Sequence, residues 1–227
     1  MTDPKKNRIW DLPVRLFHIA IILLVGLSWY TAENMHVFSF GPQSGPSDFD
    51  LHIWSGVTLI TLVLFRILWG IWGSTTARFS YFVKGPVGVL QYIRGQNAPG
   101  FGHNPLGSLS VLLFLVLLAV QPILGLLSSE DTFGLEGPLK HLVSTETSYW
   151  LAEIHEILFN LLLAVISLHI LALAYYRIFK KDKLVSAMVT GDTDKEAPAG
   201  LVFQTIGRAL LLMALSGFIV WLVLTVA

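Results

Sequence analysis

The sequence predicts an all-α integral membrane protein with five membrane-spanning helices, on three observations. The first is composition: of 227 residues, 54% are hydrophobic and 13% are charged, about half the charged share of an ordinary soluble domain. The second is run length. A membrane helix needs ~20 mostly apolar residues, and five stretches supply them, at about 15–32, 51–72, 105–128, 149–178 and 203–226. The third is where the basic residues fall, which divides the intervening loops into two kinds.

The first stretch follows Lys5, Lys6 and Arg8 and so resembles a signal peptide at its start. The sequence "SWYTAENM" after it offers no small-x-small cleavage site, so the segment is expected to be retained as a span. Basic residues recur between spans two and three (Arg78, Lys84, Arg94) and after span four (Arg177, Lys180, Lys181, Lys183). The loop 33–50 has none, and the loop 129–148 has only Lys140. Short loops rich in Lys and Arg stay in the cytoplasm. The expected topology therefore has the N-terminus inside and, after five spans, the C-terminus outside. Tryptophans 10, 29, 54, 69, 72, 150 and 221 lie near span ends, where an aromatic belt would place them.

The outer loops are acidic, with Glu33, Asp48, Asp50, Glu130, Asp131, Glu136 and Glu146. They either simply lack basic residues or form a docking face for a basic soluble electron carrier. The segment 82–96 is too short to span and reads as an amphipathic piece on the inner surface. The polar stretch "TGDTDKEAPAG" (190–200) reads as a linker to the fifth span.

The formal net charge is zero, and nothing suggests a nucleic-acid partner. There is no cysteine, which excludes disulfides, thiolate metal sites and covalent haem attachment. Histidine carries the chemistry instead. Span four reads "EIHEILFNLLLAVISLHI" and holds His155 and His169 in a strongly apolar run. Ionisable residues inside a span are costly and mark functional sites. At ~1.5 Å rise per residue the two lie ~21 Å apart along the axis. Their separation of two heptads puts them on one face of a left-handed bundle. By depth, His155 is the outer and His169 the inner.

His18 begins span one on the inner side, and His52 begins span two on the outer side. Depth pairs His18 with His169 and His52 with His155. Imidazole suits haem iron, so the four residues are expected to be axial ligands of an inner and an outer haem b. A zinc site would want four ligands at one depth, and these are split between two. A transporter or a purely structural subunit is the rival class, but a proton or ion path would want carboxylates near the midplane, and the acidic residues lie at the span ends. His36, His103 and His141 fall outside the pattern and are expected to be solvated or capping.

Three further residues are candidates for the cofactor environment. Gly56 follows His52 by one turn, where a missing side chain admits a flat macrocycle or allows helix packing. Arg66 is two heptads after His52, on the same face at the inner depth. It can meet a haem propionate or snorkel to the surface. Arg15 precedes His18 by one turn and can do either, or pair with Asp11. Glu156 beside His155 could relay a proton or face water. Pro122, after Gln121, is expected to kink span three.

The stretches "WDLPVRLFH" (10–18), "HIWSG" (52–56), "RILWG" (66–70), "GHNPLG" (102–107) and "HEILFNLLLAVISLH" (155–169) resemble the prokaryotic cytochrome b561 family. That family includes the cytochrome b subunits of membrane-bound nickel–iron hydrogenases, and the resemblance covers about residues 8–180. It implies a four-helix transmembrane bundle holding two non-covalent haems b, ligated by His18, His52, His155 and His169, and electron exchange with a quinone pool. The expected organisation is a di-haem domain at 8–183, a cytoplasmic linker at 184–202 and an extra C-terminal transmembrane helix at 203–227. The fifth helix departs from the four-span pattern and would be a partner-binding or lipid-facing addition. The expected function is electron transfer between quinone and a periplasmic partner, either a soluble cytochrome or an iron–sulfur subunit. The alternative is the membrane anchor of a hydrogenase- or dehydrogenase-type complex. The direction of electron flow and any homo-oligomer are left open.

Overall fold

The computed structural model describes residues 6–34, 47–96, 101–131 and 134–226. Their elements in chain order are β1 (Asn7–Arg8), α1 (Leu12–Asn34), α2 (Asp48–Trp72), α3 (Phe79–Phe82), α4 (Gly85–Ile93), α5 (Pro105–Leu127), β2 (Ser129–Glu130), β3 (Leu135–Glu136), α6 (Thr145–Ile178), α7 (Leu184–Thr190), β4 (Asp192–Thr193) and α8 (Ile206–Val226). Single 3₁₀ turns at Thr75–Ala77 and Lys140–Leu142 complete the set. Helices α1, α2, α5, α6 and α8 are long and apolar enough to cross a membrane. The all-α membrane architecture read from composition is therefore the one observed.

Helix ends are set by backbone capping rather than by where the apolar run stops. Asp11 precedes α1, and its Oδ1 accepts the Val14 N–H at 3.0 Å, which starts the helix three residues before the hydrophobic stretch. Asn104 does the same for α5, accepting the Gly107 N–H at 2.7 Å. Helix α6 has 34 residues and is ~51 Å long, more than the ~30 Å of a hydrocarbon core. Pro122 lies inside α5, and the helix continues through it.

The fold comprises two compact units, to which all five long helices contribute residues. Unit one gathers Met1–Phe17, Arg66–Leu115 and Ala164–Leu212; unit two gathers His18–Phe65, Val116–Leu163 and Met213–Ala227.

In unit one, β1 pairs antiparallel with β4, Asn7 opposite Thr193 and Arg8 opposite Asp192. The N–H groups of Ile9 and Trp10 both donate to the Gly191 carbonyl. Gly191 has φ of +88°, and a Cβ there would sit 2.8 Å from the Trp10 carbonyl oxygen, so this crossing requires glycine. Thr75 N–H donates to the Val202 carbonyl at 2.9 Å. The stretch read from sequence as a linker thus carries a short helix and a strand, tied to the N-terminal segment and to the turn after α2. Helix α4 occupies the segment expected to lie flat. It buries no residue and exposes Val87, Leu90 and Ile93, while the Tyr92 and Tyr176 hydroxyls meet at 3.2 Å.

In unit two, β2 and β3 form a hairpin. Its base is held where Gly137 N–H donates to Ser128 and Leu139 N–H to Leu126. The Ser129 and Ser148 hydroxyls meet at 2.6 Å and join the hairpin to the start of α6.

The belt expectation is corrected for two tryptophans. Trp10 and Trp69 are not belt residues: they are 6% and 0% exposed. The Trp69 indole N–H donates to Asp11 Oδ2 at 2.9 Å, and Trp10 packs on His103. Tryptophans 29, 54, 72, 150 and 221 are exposed, as a belt requires. The fifth helix, expected to be an addition for lipid or a partner, buries one stripe, Ala209, Leu212, Ser216 and Val220. Its other faces are exposed and apolar, suited to lipid.

Candidate functional site

Unit two contains a cavity of about 730 Å³ whose walls include His52, Gly56, Gln121, Pro122, Gly125 and His155. This is within the usual range for a ligand pocket, ~300–1,000 Å³. His52 comes from α2 and His155 from α6. Their rings lie edge to face with centroids 6.2 Å apart.

Each ring is oriented through one nitrogen. His52 Nδ1 lies 3.0 Å from the Ser28 carbonyl and 3.3 Å from the Thr31 hydroxyl. Thr31 is wholly buried, and its hydroxyl lies 2.8 Å from the Leu27 carbonyl. Ser28 and Ser55 join α1 to α2 through hydroxyls 2.6 Å apart. His155 Nδ1 lies 2.9 Å from the Gln121 carbonyl on α5. The Gln121 side chain returns an N–H to the His155 carbonyl at 3.0 Å. A carbonyl can only accept, so each Nδ1 carries the proton. Nε2 is thereby the acceptor nitrogen of each ring, the arrangement that second-shell carbonyls impose on metal-binding histidines; that of His155 lies 3.4 Å from the Gln121 amide nitrogen.

The spacing fits a single metal. Metal–imidazole bonds of ~2 Å put opposing nitrogens ~4 Å apart and ring centroids ~6 Å apart. Glycine keeps the wall clear. A Cβ on Gly125 would stand 3.0 Å from His155 Cε1, so alanine there would press on the imidazole. A Cβ on Gly56 would meet only Pro122, at an ordinary 3.8 Å. Residues, cavity and acceptor nitrogens together fit a bis-imidazole metal macrocycle, which would take the place of the Gln121 amide at His155 Nε2. Glu33, Glu130, Asp131, Glu153 and Glu156 also line the cavity, and no Lys or Arg does.

The other predicted residues lie elsewhere. His18 is on α1 within unit two. His169 is on α6 within unit one, where its ring meets Phe114 edge-on at 5.5 Å. Arg66 does not snorkel: it is 3% exposed, donates to the Ala77 carbonyl at 3.3 Å and lies over the Phe79 ring. Arg15 donates to the Val189 carbonyl rather than to the Asp11 carboxylate, whose oxygens accept from Val14 and Trp69. His141 is exposed, and His36 lies outside the described residues. His103 is half-buried and is not a cap. It is stacked between Trp10 and Phe82 at 4.6 and 4.8 Å. Burial first, and the Arg66 charge second, hold its imidazole well below the usual range, at about 3.

Sequence reasoning missed Ser28, Thr31, Gln121 and Gly125 as supports of the two histidines. An amide in the apolar run of α5 was the available signal. A carbonyl acceptor leaves no trace in residue type.

No curated protein and no solved structure matches the chain. The family profile described as prokaryotic cytochrome b561 matches residues 9–191, which takes in the four spans that hold all the candidate histidines. The chain therefore belongs to the prokaryotic cytochrome b561 family, integral membrane cytochromes b that bind haem b and transfer electrons.

Proposed function

We propose that the protein carries two haems b across the bacterial inner membrane and passes electrons between a quinone and a redox partner at the periplasmic face. His52 and His155 hold the outer haem, and His18 and His169 the inner. The observation that carries this reading is the juxtaposition of His52 and His155 over a cavity, with both Nδ1 atoms committed to carbonyls. Haem b, when bound, supplies a one-electron couple, while the chain supplies ligation, spacing and electrostatics. The Ser28 and Gln121 carbonyls fix ring tautomer and orientation. The depth of the four histidines along their spans supports the second pair. Arg66 and Arg15 serve the inner haem's propionates.

The carboxylates lining the cavity favour a basic partner at this face, since a field of one sign steers its opposite. The N-terminus is cytoplasmic by the distribution of Lys and Arg. Residues 8–183 form the di-haem domain, and 203–227 an added helix.

The test is a pyridine haemochrome assay against protein mass. Two haems per chain, with low-spin spectra, are expected, because four histidines fill both axial positions of two irons. One haem, or a high-spin spectrum, contradicts the reading.

A further inference from the structure

Unit one holds a buried cation that makes no direct ion pair among the described residues. Arg66 is 3% exposed and takes part in none of the ion pairs among the described residues. Its one hydrogen bond is a long 3.3 Å contact to the Ala77 carbonyl, and Phe79 covers it at 5.5 Å. Asp11 is buried too and acts on Arg66 electrostatically, but its two oxygens already accept from Val14 and Trp69.

Polar atoms without partners gather in the same unit. His103 Nδ1 is shielded from solvent and makes no hydrogen bond, and Thr76 Oγ1, beside Ala77, makes none either. Phe79, next to Arg66, packs on Phe82, and Phe82 packs on His103. Buried polar groups are almost always satisfied, so such a group points to a ligand or a water. A water would satisfy His103 but would leave the guanidinium with a single 3.3 Å hydrogen bond and no ion pair among the described residues.

We propose that Arg66 and His103 form a carboxylate-binding site whose occupant is a propionate of haem b. Arg66 supplies the charge, and His103, held between Trp10 and Phe82, donates a neutral hydrogen bond from Nδ1. This rests on the two-haem reading and adds to it a residue that lies outside the four-histidine pattern. Its consequence is directional. Withdrawing either group leaves the propionate charge less compensated, which favours ferric haem and lowers that haem's potential.

The test is a redox titration of the detergent-purified protein, with haem content measured in parallel. His103→Phe keeps the ring and removes the donor, His103→Asn restores a donor, and Arg66→Gln removes the charge. The expected result is that one of the two transitions moves to lower potential in His103→Phe and Arg66→Gln, the same transition in both, and moves back in His103→Asn. Loss of one haem from His103→Phe with retention in His103→Asn supports the site equally. Two bound haems with neither transition moved, different transitions moved by the two residues, or haem loss in both His103 variants overturns it. Added inorganic phosphate should leave the wild-type potential unchanged. A phosphate-dependent potential that disappears in His103→Phe would assign the site to a free or lipid phosphate and also overturn it. Fewer than two haems in the unaltered protein would instead be a failure of the functional reading.

Discussion

His52 and His155 face each other edge to plane across 6.2 Å, one ring leaning on the Ser28 carbonyl and the other on the Gln121 carbonyl. Nε2 is therefore the acceptor nitrogen of both rings. If they share one iron, either substitution leaves that iron five-coordinate and the non-covalent haem weakly held. His52→Ala and His155→Ala should give matching residual spectra. His18→Ala and His169→Ala should match each other and show the complementary haem. A crossed result, with His18→Ala resembling His155→Ala, rejects the pairing.

Gly125 and Gly56 should respond differently to alanine. At Gly125 the new methyl meets His155 Cε1 at 3.0 Å and the ring must yield by a few tenths of an ångström; at Gly56 it meets Pro122 at ordinary contact distance. Gly125→Ala should shift the spectrum or potential of the haem that His155→Ala removes, and by more than Gly56→Ala does. Equal effects would show that the wall, rather than the ligand contact, governs the site.

Asp11 both caps α1 and accepts the buried Trp69 N–H. Its replacement by alanine removes a cap and a buried acceptor, together worth about 2 kcal/mol. Thermal unfolding in detergent should start lower in Asp11→Ala, with Asp11→Asn recovering much of the loss. An unchanged midpoint would mean that the contact is stabilised elsewhere.

Acid should weaken unit one through His103. Its imidazole sits at about 3 in the folded protein against an ordinary 6.5. As pH falls below 6.5 the unfolded chain takes up this proton before the folded one does. The stabilisation is complete above 6.5 and is lost between 6.5 and 3, by at most ~1.4 kcal/mol per pH unit. The unfolding midpoint of His103→Phe should depend less on pH over that window than the wild type. Parallel pH curves would rule out His103 as the titrating group.

The sequence by itself determined the membrane class and the five spans, and it singled out His52 and His155, which the fold brings together. Hydrophobic length and the position of ionisable residues are local properties, and they survive without knowledge of packing. The start of α1 was less legible, because Asp11 caps the helix three residues before the apolar run, whereas α5 starts where hydropathy placed it, at Pro105. What lies against what was decided by tertiary structure. Trp10 and Trp69 have the sequence positions of belt residues but are buried, because Asp11 and His103 give their rings polar and stacking partners. His103 was expected to be solvated because it stands in a loop or at the membrane edge, and only the fold sets Trp10 and Phe82 against it. The supports of His52 and His155 are backbone carbonyls, which every residue carries, so no pattern of side chains could have revealed which ones the imidazoles would meet.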